Sequence, residues 1–171
     1  MLNRRRFLQS IIAAAASPSM LQGCQSTSVL SSPSENLLVD PNGLLDLVPG
    51  LSYRIVSRRG DRMSDGLRVP GNHDGMAAFP GKDGRVILVC NHELDFNYPH
   101  DSAFGDAYPS VPRAVKTRMY DKGSGLTPSL GGTTTTIWNP ATGKTERQHL
   151  SLAGTEFNCA GGPTQWGSWL S

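Results

Sequence analysis

Three short strings in this chain carry side chains able to do chemistry. His73-Asp74 and Asn91-His92-Glu93 place carboxylate, amide and imidazole groups beside glycine or at the end of an apolar run. Carboxylate and amide oxygens suit calcium, and imidazole suits a transition metal. Asn and Asp also build solvated turns, and each string taken alone reads more simply that way. The third string runs over residues 155–169, with Cys159 followed by Ala160-Gly161-Gly162-Pro163. Glycines after the cysteine let backbone approach the thiol closely, as a buried metal or reactive site requires. A thiolate there could ligate a soft or borderline metal. A tight Gly-Pro turn holding an inert buried cysteine, with Trp166 and Trp169 packed around it, explains the same residues equally well.

These groups need elements to hold them. Residues 51–56 alternate apolar and polar side chains and predict a strand after the turn at Val48-Pro49-Gly50. Residues 71–75 form a polar, glycine-bracketed loop leading into 76–79, and Pro80-Gly81-Lys82-Asp83-Gly84 is a strong turn. Residues 86–90 are short and continuously apolar, which predicts a strand buried on both faces that delivers Asn91, His92 and Glu93 at its end. Residues 94–112 read as an irregular excursion, and 113–121 as a short helix. Residues 133–138 are a β-branched strand, 139–144 a hairpin turn, and 145–150 the returning strand. The expected class is all-β with long loops.

The N-terminus reads as an address. Arg4-Arg5-Arg6 precedes an apolar run, residues 11–16, too short to span a bilayer. The string at residues 3–9 is similar to the twin-arginine export signature, carried by Arg4, Arg5, Phe7 and Leu8. An ordinary secretory signal with an extra arginine is the other reading. Leu21-Gln22-Gly23-Cys24 resembles a lipobox, at which a leader is cut and Cys24 is acylated. A plain cleavage site with a coincidental cysteine is its alternative. Acylation would hold the protein to a membrane, each buried methylene contributing about 0.8 kcal/mol. The expected organisation is a signal peptide over 1–23, a Ser-rich tether over 24–47 and a folded domain over 48–171. The place is the periplasm or cell envelope, where Cys90 and Cys159 would be free to pair.

Composition narrows the class further. The chain has 171 residues with 19 glycines and 12 prolines, so turns are frequent and long helices scarce. Charged residues make up 18%, too few for a disordered polyelectrolyte. Lys and Arg number 16 against 14 acids, and the one cation cluster lies in the leader. Once the leader is removed, acids outnumber cations by one. Nothing supports a nucleic-acid partner, which needs clustered cations.

The strings LSYRIVSRRGD, DGMAAFP, ILVCNHE, GGTTTTIWNPATGK and LAGTEFNCAGGPTQWGSWL, in that order, resemble the N-terminal part of the bacterial PhoX-type alkaline phosphatase family. The resemblance runs from about Leu51 to Ser171, and its last string is the most specific. It implies a twin-arginine-exported β-propeller hydrolase of phosphate monoesters that uses calcium and iron, the iron held partly by a cysteine thiolate. Carried over by position, Cys159 is the iron-ligating cysteine and Glu93 the best acidic metal ligand, with Asn91, His92 and Asp74 as further candidates. No catalytic residue is assigned.

Two departures stand out. Gln165 occupies a position where proline is commonest. The family's Trp-Leu string continues into Cys-Glu-Glu, whose carboxylates are expected ligands, whereas this chain stops at Ser171. Propeller blades take about 40–50 residues each, so the chain holds roughly two to three, not a closed ring. The expectation is a metal-dependent phosphomonoesterase fragment, inactive alone for lack of those carboxylates. The alternative is a lipid-anchored, non-catalytic β-rich module. A redox role for Cys90 and Cys159 is weaker, because neither sits in a C-x-x-C motif.

Overall fold

Extended chain dominates the computed structural model, which describes residues 36–105, 113–117, 119–123 and 128–171. Six strands are present among them: β1 (His73–Pro80), β2 (Val86–His92), β3 (Gly131–Asn139), β4 (Lys144–Thr155), β5 (Gly162–Pro163) and β6 (Trp169–Leu170). The first four make one antiparallel sheet in chain order, β1-β2-β3-β4, and β5 pairs with β6 in a second. The fold is all-β. The signal residues Arg4, Arg5, Phe7 and Leu8, the lipidation candidate Cys24 and the first part of the tether lie outside the described residues. No helix among the described residues is long and apolar enough to cross a membrane.

Local chemistry explains most of the sheet. Pro80 and Gly81 end β1, and a 3-10 turn at Lys82–Gly84 reverses the chain. Asp83 and Gly84 both take positive φ there, a conformation glycine and aspartate accept at low cost. Branched and threonine-rich runs then build β2 and β3, which pair from Val86↔Trp138 to His92↔Gly132. The Asn139 side chain accepts from the Ala141 amide at 3.0 Å and sets the β3–β4 turn. Arg85 clamps this end of the sheet with two bonds of 3.2 Å to Glu146, which also accepts from Asn139 at 2.7 Å.

Alternation of side chains gives the sheet two unlike faces. Cys90, His92, Thr134, Thr136 and Gln148 share one face and are all buried. Residues 57–71 lie against it: Gln148 donates to Ser57 at 2.8 Å and accepts from the Ser64 amide at its carbonyl, also at 2.8 Å. Met63, Val69 and Leu94, the last fully buried, supply much of the apolar core. Asn91 turns the other way and meets Trp169 of β6.

Several sequence expectations need correction. Residues 51–56 form no strand; Leu51 and Ile55 are exposed, so the alternation buries no face. Most of β2 is half-buried rather than buried on both faces. The predicted helix over 113–121 shrinks to one turn, α1 (Arg113–Lys116). Tyr120 and Asp121 instead donate to Ala153 and Gly154 at 2.8 and 3.0 Å, alongside β4. Trp166 is 79% exposed, not packed.

The chain divides after Tyr53 into two units. In the described part of the first, Leu38 and Leu47 form an antiparallel bridge. Asp40 sits at its centre, its carboxylate accepting from the Tyr53 hydroxyl at 2.6 Å and from the Asn42, Leu44 and Leu45 amides. Those donors, Tyr53 first, hold the Asp40 carboxyl far below the usual carboxylate range. Residues 36–47, composed like a tether, thus carry a hydrogen-bonded loop.

Candidate metal centre

Asp74, Glu93 and Cys159 come together with their ligand atoms all within 4.8 Å of one another. Each arrives from a different element. Asp74 is the second residue of β1, where pairing with β2 slips between His73 and Met76. Such an irregularity re-aims a side chain at a sheet edge. Glu93 is the first residue beyond β2, and Cys159 lies in the loop between β4 and β5.

The backbone around each donor is tied down. Asn72 grips Glu93 twice, its carbonyl accepting from the Glu93 amide at 2.9 Å and its side chain donating to the Glu93 carbonyl at 3.0 Å. Asn72 does this at φ 44°, a left-handed conformation that asparagine tolerates. The Cys159 carbonyl accepts from the Gly75 amide at 3.0 Å and from the Asn91 side chain at 2.7 Å. A Cβ on Gly75 would stand 2.7 Å from that carbonyl, so only glycine lets β1 and the Cys159 loop approach this closely. Gly161 is equally restricted, since a Cβ there would meet the Trp169 ring at 2.5 Å.

Of the five residues expected as ligands, three converge and two serve other ends. Asn91 is fully buried, donates to the Cys159 and Ala160 carbonyls and accepts from Trp169 Nε1 at 2.9 Å. It positions the Cys159 loop. His92 spends both ring nitrogens, Nδ1 with the Gly71 carbonyl at 2.8 Å and Nε2 with Thr134 Oγ1 at 2.9 Å. Burial pushes its imidazole down to about 4, helped by nearby His73 and opposed by the Gly71 bond. His73 packs edge-on against it, ring centres 4.7 Å apart.

The two carboxylates disfavour a further negative charge at Cys159. The Cys159 thiol is pushed above its ordinary value first by the charge of Asp74, then by that of Glu93, with smaller contributions from burial and a hydrogen bond with Asp74. Two carboxylates facing one thiol make a mixed hard and soft donor set. Cys90 is buried, and its thiol is raised chiefly by that burial. Both cysteines are free.

Sequence reasoning missed the supports rather than the donors. Asn72 and Gly75 were visible only as turn residues, and their grip on Glu93 and Cys159 depends on pairing across β1 and β2. Phe157 also escaped notice. It holds φ 52°, unusual for a bulky side chain and costing roughly 1–2 kcal/mol.

A family model for alkaline phosphatase PhoX matches residues 33–171, which include the whole four-stranded sheet and all three converging donors. Neither curated proteins nor solved structures yield a match. The span of the family match, over a fold that gathers Asp74, Glu93 and Cys159 at one point, places this chain in the PhoX alkaline phosphatase family.

Proposed function

We propose that this chain contributes Asp74, Glu93 and Cys159 to the metal site of an exported, metal-dependent phosphomonoesterase. The observation that carries the reading is the convergence of those three donors within 4.8 Å in a chain of this family. Two carboxylates and a thiol fit the calcium and iron implied by the resemblance, the oxygens suiting either ion and the sulfur suiting iron. When bound, such ions neutralise phosphate oxygens and orient the ester toward attacking water. Asn72 and Asn91 keep the Glu93 and Cys159 backbones in place. Cys159 gives up its thiol proton on loading, because the thiolate is the ligand.

The four-stranded antiparallel meander in chain order supports reading this sheet as one blade of a propeller. The arginine pair at Arg4-Arg5 with Phe7 and Leu8 supports export through the twin-arginine machinery, and Cys24 supports a lipid anchor in the cell envelope.

Metal analysis and spectroscopy of the purified chain test the site. Iron bound through Cys159 gives a thiolate charge-transfer band that Cys159→Ala abolishes. A well-folded, colourless, metal-free chain would overturn the reading in favour of a lipid-anchored, non-catalytic module.

A further inference from the structure

Trp169 begins a chain of hydrogen bonds that ends at Cys159. Asn91 is fully buried, so its side-chain amide must find its partners within the protein. Its Nδ2 donates to the Cys159 carbonyl at 2.7 Å and to the Ala160 carbonyl at 3.3 Å, and its Oδ1 accepts from Trp169 Nε1 at 2.9 Å. Only one orientation of the amide satisfies these neighbours, because an indole N–H can only donate and a peptide carbonyl can only accept. The Trp169 N–H therefore draws the Asn91 oxygen to its side and commits the Asn91 nitrogen to the Cys159 loop. Reversing the amide would set donor against donor and its oxygen against two carbonyls.

Trp169 is itself fixed. It pairs with Pro163 in the β5–β6 hairpin, whose turn is closed by the Thr164 amide donating to the Ser168 carbonyl at 2.8 Å and the Ser168 amide donating to Thr164 Oγ1 at 2.9 Å. The Cys159 loop rests on its ring, since a Cβ on Gly161 would stand 2.5 Å from it. On the other side of Cys159, buried Asn158 donates to Ser171 Oγ at 2.7 Å. Cys159 is thus held by two asparagines, one bonded to Trp169 in β6 and one to the residue just beyond that strand. Trp166, in the turn of the same hairpin, is exposed.

We propose that Trp169 is a positioning residue for the metal centre: its indole N–H orients Asn91, and Asn91 holds the Cys159 backbone so that the sulfur stays within reach of Asp74 and Glu93. This rests on the metal-site reading above. The N–H matters here more than the size of the ring. Losing it strands a buried amide oxygen and loosens the amide's grip on the Cys159 carbonyl. Groups that orient ligands without touching the metal typically change its affinity by about 10- to 100-fold when they are lost.

The test uses the full chain and cobalt(II), whose thiolate charge-transfer band reports ligation by Cys159. A second readout needs no metal. Exchange of the Gly75 amide, which donates to the Cys159 carbonyl at 3.0 Å, shows whether that carbonyl stays in place. Trp169→Phe keeps an aromatic ring and removes the N–H. It should speed Gly75 exchange in the metal-free chain and weaken cobalt binding, each by about tenfold, while Trp166→Phe changes neither. In an Asn91→Leu background the same Trp169→Phe change should add nothing, because the two residues act as one unit. If Asn91→Leu does not fold, the contrast between Trp169→Phe and Trp166→Phe decides alone. Parent-like exchange and cobalt affinity in Trp169→Phe overturn the proposal. So does an effect that persists at full size in the Asn91→Leu background, which would assign Trp169 to packing alone. A parent chain that gives no cobalt–thiolate band overturns the metal-site reading, and this proposal falls with it.

Discussion

Gly75 shows how much a missing side chain can decide. Its amide feeds the Cys159 carbonyl, and a Cβ would stand 2.7 Å from the same oxygen. Gly75→Ala should therefore push the Cys159 loop away and weaken metal binding by roughly 10- to 100-fold while circular dichroism stays unchanged. Equilibrium titration with metal followed by thiolate absorbance reads the effect. His92 makes a different prediction. Its imidazole titrates near 6.5 when unfolded and about 4 when folded, so the unfolded chain binds the extra proton between those values. Stability present above pH 6.5 should be lost as pH falls toward 4, by up to about 3 kcal/mol. Urea unfolding at a series of pH values checks the sign, and His92→Gln should flatten the profile.

At the scale of elements, β2 and β3 are the interior strands of the sheet and β1 and β4 its flanks. Amide exchange should be slowest in β2 and β3, because opening them requires two ladders to part. Leu94→Ala, at the fully buried residue just beyond β2, should cost about 2–5 kcal/mol in denaturant unfolding. Elements with strong local signals were legible in the sequence: the turn after Pro80, the Thr-rich β3 and the Asn139 hairpin all form where expected. Residues 51–56 misled because alternation marks a possible face and not the partner needed to bury it. Residues 120–121 misled because pairing with β4 outweighs a weak helix preference. The same limit governs the site. Asp74, Glu93 and Cys159 could be nominated from chemistry and resemblance, but the separation of Asn91 and His92 into supporting roles depends on contacts with Cys159, Trp169, Gly71 and Thr134 that no local pattern contains.

Across the whole molecule, the donors come from the start of the sheet, the end of its second strand and the loop beyond its fourth. A cation that recognises all three binds the folded chain and not the unfolded one. Melting temperature should rise with metal concentration in the parent chain and remain flat in Cys159→Ala, by differential scanning calorimetry. The Asn91 bond that secures the Cys159 loop spans 68 positions of sequence, so closing it costs more chain entropy than closing the local turns. Occupancy of the proposed site would then act as a certificate of completion. A nascent chain offers Asp74 and Glu93 to passing cations well before the thiol has been synthesised, and holds them only weakly; full retention begins when the last corner locks. Under the proposed twin-arginine export of the folded chain, the captured ion would mark the molecules ready to leave.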